Sequence, residues 1–136
     1  MSDAHIALEV SRDEHYKTPY LKSLKESWPS LAKDYRHYCH NTHPKAGEVW
    51  AWMSPEGQRF FHLILDDEGY QSTSATERLH NFKRALKNLK KLVEGEHLKA
   101  VHLPKIGFHF TDGEIELAQS LLKEVFMDSD AEVKFV

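Results

Sequence analysis

Apolar and polar positions alternate along this chain in two periods, which mark strands and helices in turn. His5 to Val10 (His-Ile-Ala-Leu-Glu-Val) is a short apolar run and predicts a buried strand. Ser11 to Thr18 is polar and predicts a loop. Pro19 to Trp28 follows a helical pattern with Leu21 and Leu24 on one face. Pro29 breaks it and suits the first turn of a new helix, Ser30 to His40, with Leu31, Tyr35 and Tyr38 inward. Glu48 to Met53 and Gln58 to Leu65 predict two strands. The turn between them, Ser54-Pro55-Glu56-Gly57, has Pro and Gly where a hairpin needs them.

A polar loop from Asp66 to Thr73 leads to Ser74-Ala75-Thr76-Glu77, a capping-box pattern. The helix it opens runs to about Glu94, with Leu79, Phe82, Leu86, Leu89 and Val93 as its apolar stripe. Lys83, Arg84, Lys87, Lys90 and Lys91 lie on or near the opposite face, where a charge run is ordinarily solvated. Leu98 to Leu103 lacks polar–apolar alternation and predicts a central strand buried on both faces. Thr111-Asp112-Gly113-Glu114 is a second capping box. It opens a helix carrying Ile115, Leu117, Leu121, Leu122 and Val125, and Ala131 to Val136 closes as a strand. This order of elements predicts a layered α/β fold with a mixed sheet.

The chain has 136 residues, which suits one domain, taken as residues 1–136, with a proper core. No apolar run is long enough to cross a bilayer, and the N-terminus lacks the pattern of a secretory signal. The expected location is therefore cytoplasmic. Cys39 is the only cysteine, which rules out an intrachain disulfide. The net charge of −3 argues against broad nucleic-acid binding, which needs a basic surface, but not against a locally positive pocket. Ten histidines make the charge sensitive to pH below about 6.5.

The most informative stretch is the last third. After Leu103 comes Pro104-Lys105-Ile106-Gly107-Phe108-His109-Phe110, and then the capping box. The place outside the carboxyl end of a strand and before a helix is where α/β proteins hold phosphates and nucleotides. His102 to Gly107 resembles the Leu-Pro-Arg-Ile-Gly strand end of macrodomains. Trp28-Pro29 to Tyr35-Arg36 is similar to that family's helix pair, Lys45-Ala46-Gly47-Glu48-Val49 to its entry into the hairpin, and Arg59 to Ile64 to the strand that follows. The branch it most resembles includes terminal ADP-ribose protein glycohydrolase. The resemblance implies a three-layer αβα domain with a mixed sheet, lacking the family's usual first strands and the acidic adenine contact that ends them. It also implies ADP-ribose or a related nucleotide as ligand, with ADP-ribosylated protein as a partner.

The departures fall where the family binds. Ser11 stands near the position of an Asn that contacts the distal ribose. Arg12 to Thr18 replaces a glycine-rich loop and has no glycine. In the second phosphate loop, expected as Ile-Gly-x-Gly, His109 takes the place of the second glycine. The nucleophilic Lys of the related branch aligns with Asp66, which cannot form its adduct. Its Asp aligns with Thr111, one residue from Asp112. The ligand-binding candidates are Ser11, Lys105, Gly107, Phe108, His109, Thr111 and Gly113, and the catalytic candidate is Asp112 as a general base. The expected function is a macrodomain-like module that binds ADP-ribose or a related phosphate ligand weakly and without catalysis. The alternatives are an ADP-ribosyl hydrolase with substituted residues and an interaction module without a small-molecule ligand.

Other groups carry less. His37, Cys39, His40 and His43 crowd a helix end, but their spacing matches no standard zinc site, so no metal and no cofactor are expected. His62 and His102 lie on apolar strands, where hydrogen-bonded structural roles predominate. Asp66-Asp67-Glu68 lacks the ligand spacing of a calcium loop and is expected to be solvated. Trp50, Trp52, Phe60 and Phe61 are expected to pack in the core.

Overall fold

The computed structural model describes residues 4–67 and 73–136. Among these residues five strands form one mixed sheet: β1 (His5–Ser11), β2 (Val49–Met53), β3 (Arg59–Asp66), β4 (Ala100–Leu103) and β5 (Glu132–Phe135). Their spatial order is β2-β3-β1-β4-β5, and only the β2–β3 pair is antiparallel. The helices are α1 (Pro19–Ser27), α2 (Pro29–Thr42), α3 (Ala75–Gly95) and α4 (Asp112–Val125). A 3-10 turn, Lys105–Gly107, follows β4. The predicted order of elements is present, and the three layers follow from it.

Two cores lie on opposite faces of the sheet. On one, Ala7, Phe61, Leu63, Leu65, Val101 and Leu103 meet α3 and α4. On the other, Leu8, Val10, Phe60 and Ile64 meet α1 and α2. Successive residues of a strand point to opposite faces, so a strand covered on both sides must be apolar throughout. β1 and β3 come nearest to this rule and are the central pair, with Glu9, Ser11, His62 and Asp66 as their buried polar exceptions. The strand expected to be central, Leu98 to Leu103, is shorter and is buried on one face only. Val101 and Leu103 are buried, while Ala100 and His102 are half-buried. The physical reason is coverage: the core under α1 and α2 includes no residue of β4 or β5. His102 lies on that less covered side, with Nε2 3.8 Å from Glu132 Oε2.

The α4 stripe also differs from the expected one. Ala118, Leu122 and Val125 are buried at helical spacing, whereas Leu117 is 57% exposed because it lies about a quarter-turn from Ala118. Asp66, expected in a solvated loop, is the last residue of β3 and fully buried. Asp67 accepts a hydrogen bond from the Ala46 amide (2.9 Å), and Glu68 lies outside the described residues. His62 is buried and donates from Nδ1 to the Phe60 carbonyl (2.9 Å), stacked on Tyr35 and edge-on to Trp50. Trp52 packs against Trp28 and Phe60 on the same side, and its indole N–H donates to Asp34 (2.9 Å).

Candidate functional site

Because β1, β3 and β4 are parallel, their carboxyl ends lie at one edge of the sheet. Three connections leave from it: residues 12–18, 67–74 and 104–111. Such an edge is the place for a ligand in an open α/β sheet. What fills it here is a set of charged side chains with little access to water.

Glu9 is the single charge in the apolar run of β1. It shares a face with Ala7, toward α3 and α4, and is 1% exposed. Burying a carboxylate requires partners. Glu9 obtains them from His109, whose backbone N–H donates to Oε1 (3.0 Å) and whose Nδ1 meets Oε2 (2.8 Å). The Glu9 carboxylate in turn holds the His109 imidazole above its ordinary pKa, against the opposing effect of burial.

Arg78, on the first turns of α3, ties the other two connections together. It donates to the His109 carbonyl (3.1 Å) and to the Thr73 carbonyl (3.3 Å), and its Nε lies 3.6 Å from Asp66 Oδ2. Burial raises the Asp66 pKa, with Thr73 and Arg78 acting against it. The loop after β1 is closed by its own acid. Glu14 accepts from the Ser11 amide (3.2 Å) and the Tyr16 amide (3.4 Å), and burial raises its pKa despite both bonds. Tyr16 takes a left-handed φ of 55° where a glycine would be unstrained, with its buried ring edge-on to Tyr35.

The residues singled out from the sequence divide between this edge and the core. Ser11 is buried at the end of β1 and its carbonyl accepts from the Tyr35 hydroxyl (2.8 Å). Lys105 is exposed and opens the 3-10 turn. Gly107 is buried against Tyr20, and a Cβ there would meet the ring at 3.0 Å, so a side chain fits only if the ring gives way. Phe108 turns into the core, 7% exposed, against Phe82, Phe110 and Phe135. His109 reaches Glu9, as above. Thr111 caps α4 in a complete capping box, accepting from the Glu114 amide while Glu114 accepts from the Thr111 amide. Asp112 and Gly113 are exposed in the first turn of α4.

Glu9, Glu14 and Arg78 were not among the candidates. Glu9 carried a signal in the sequence, a lone acid within an apolar strand. Arg78 lay beside the apolar stripe of α3, with nothing to separate it from the solvated lysines. In the cluster at the end of α2, His37 bonds Asn41 (2.9 Å) and Cys39 is buried. Among the described residues no three metal-ligating side chains come together there or elsewhere.

The architecture recurs in solved structures. The chain is similar to the macrodomain of Thermus aquaticus DarG, with 13% identity over 96% of this chain and 87% of that one, at a TM-score of 0.79. It is similar to Thermosipho africanus DarTG in complex with ADP-ribose, with 11% identity over 98% of this chain and 38% of that one, at 0.80. A macrodomain protein from Streptomyces coelicolor matches with 15% identity over 97% and 86% of the two chains, at 0.73. The fold is that of a macrodomain. No family model and no curated relative matches the sequence.

Proposed function

We propose that this chain is a ligand-recognition module on a macrodomain scaffold, and that its strand-end crevice takes ADP-ribose or a related phosphate-bearing nucleotide only weakly and without glycohydrolase chemistry. The fold supports the ligand class, since a protein of this fold is solved in complex with ADP-ribose. One observation carries the weakness. The backbone amides of Ser11, at the end of β1, and of Tyr16 and His109, on the two loops that would cradle a diphosphate, donate instead to the carboxylates of Glu14 and Glu9. A diphosphate must displace those acids and then lie beside them. Catalysis lacks its nucleophile: Asp66, aligned with the lysine of the related branch, is buried against Arg78. The affinity expected is hundreds of micromolar or worse, about −5 kcal/mol or less favourable. The catalytic half is tested by incubating the full chain with a protein ADP-ribosylated on glutamate. No release of ADP-ribose above background is expected, and robust release contradicts the proposal.

The hydrolase alternative is favoured by one contact. Glu9 grips Nδ1 of His109, the arrangement in which a carboxylate orients a general base. On this geometry the base is His109, while Asp112 stands exposed on α4. Release abolished by His109→Ala and kept by Asp112→Ala is the outcome that selects this alternative.

A further inference from the structure

A second cleft lies beside the loop after β1, between Arg12–His15 and the carboxyl end of α2. It encloses about 410 Å³, and none of its walls comes from residues 104–113. That volume suits a small ligand. Its walls include Arg12 and Arg36, with His15, His40 and His43 beside them, and Tyr35 and Cys39 form its buried base. His40 and His43 sit in the last turn and at the C-cap of α2, where cations complement the helix dipole. The two guanidiniums have no such role. Among the described residues neither is hydrogen-bonded or ion-paired through its side chain. Two acids share the walls. Glu14 turns its carboxylate back onto the amides of its own loop, which leaves Asp13 as the opposing charge.

We propose that this cleft is an anion site for a phosphate group, held by Arg12 and Arg36 with imidazole N–H groups as further donors. Guanidinium forks are permanently charged and match phosphate oxygens in pairs, which suits a phosphomonoester or a diphosphate. The site shares the loop after β1, Glu14 included, with the strand-end crevice, but takes its other wall from α2 and none from residues 104–113.

The test is a titration of the 15N-labelled full chain, first with inorganic phosphate and then with pyrophosphate, at constant ionic strength held with chloride. Saturable shifts are expected in the Arg12 and Arg36 Nε–H signals and in the imidazoles of His15, His40 and His43. The double variant Arg12→Gln/Arg36→Gln is expected to weaken binding about tenfold or more, the loss of charge-assisted hydrogen bonds. Asp13→Asn, which removes the opposing charge, is expected to tighten it. Tighter pyrophosphate binding assigns a diphosphate, and equal binding a phosphomonoester. Shifts confined to the amides of Ser11, Tyr16, His109, Asp112 and Gly113, no saturable shift, or a double variant that binds like the parent overturns the proposal. The first of those results would leave the strand-end crevice as the phosphate site, so failure here and failure of the proposed function are separable.

Discussion

Arg78→Leu removes the one guanidinium that joins the end of β3, the start of α3 and the loop after β4. The arginine is 8% exposed and Asp66, 3.6 Å from its Nε, is fully buried. Removing one partner of a buried ion pair costs about 3–5 kcal/mol, because the remaining charge is left uncompensated. The carbonyls of His109 and Thr73 lose a donor in the same step. Asp66 has an escape, since it can take a proton. Its carboxyl already titrates above the ordinary value, and without Arg78 it rises further. A carboxyl whose folded pKa lies above its unfolded one binds more protons in the folded state. The variant therefore regains stability as pH falls through that pKa. Urea unfolding at pH 8 and pH 5 should show a loss of about 3–5 kcal/mol at the higher pH and a smaller loss at the lower. Asp66→Asn should rescue part of it, with a coupling of about 1–3 kcal/mol in the double-mutant cycle. A loss under about 1 kcal/mol, or strict additivity with Asp66→Asn, refutes the account of this pair.

Three further outcomes follow from single contacts. Burial lowers the pKa of His62 to about 4, so the unfolded chain binds the proton first and stability falls as pH drops from 6.5 toward 4. The loss is about 3 kcal/mol at most, and in urea titrations His62→Phe should flatten that slope. His109 is shifted the other way by Glu9, so its contribution is full below pH 6.5 and is lost as pH rises through the raised pKa. His109→Ala should accordingly cost more stability at pH 6 than at pH 9, and equal losses count against the Glu9 contact. Gly107→Ala should destabilise by about 1–3 kcal/mol through the Tyr20 ring, with Tyr20→Leu in the same chain relieving it, both read by thermal unfolding.

The sequence pattern located the elements because hydrophobic period and turn chemistry act locally. Pro29, the Ser54–Gly57 turn and the Thr111 capping box each do in the structure what their residue types favour. Coverage of the sheet is not local. Nothing within Leu98 to Leu103 says that α1 and α2 stop short of β4, so its two-sided burial was expected and one-sided burial found. The site shows the same division. The missing glycines of both loops were legible, and so was the substitution of His109. The pairing of Glu9 with the His109 amide and ring was not, because the two residues are a hundred apart in sequence and meet only through the parallel packing of β1 and β4. Gly107 and Phe108, legible as parts of a phosphate loop, serve packing against Tyr20 and the phenylalanine cluster.

In the proposed function, Glu9 and Glu14 hold the amides that a diphosphate needs. Calorimetry of the full chain with ADP-ribose tests it most directly, run beside His109→Gly and the double variant His109→Gly/Glu9→Gln. For the parent chain the account gives a dissociation constant of hundreds of micromolar or weaker, about −5 kcal/mol at best. His109→Gly opens the loop and should strengthen binding. Glu9→Gln added to it should strengthen binding further, since it removes the charge that His109 covers. Micromolar or tighter binding by the parent, or a double variant no better than the single one, contradicts the account.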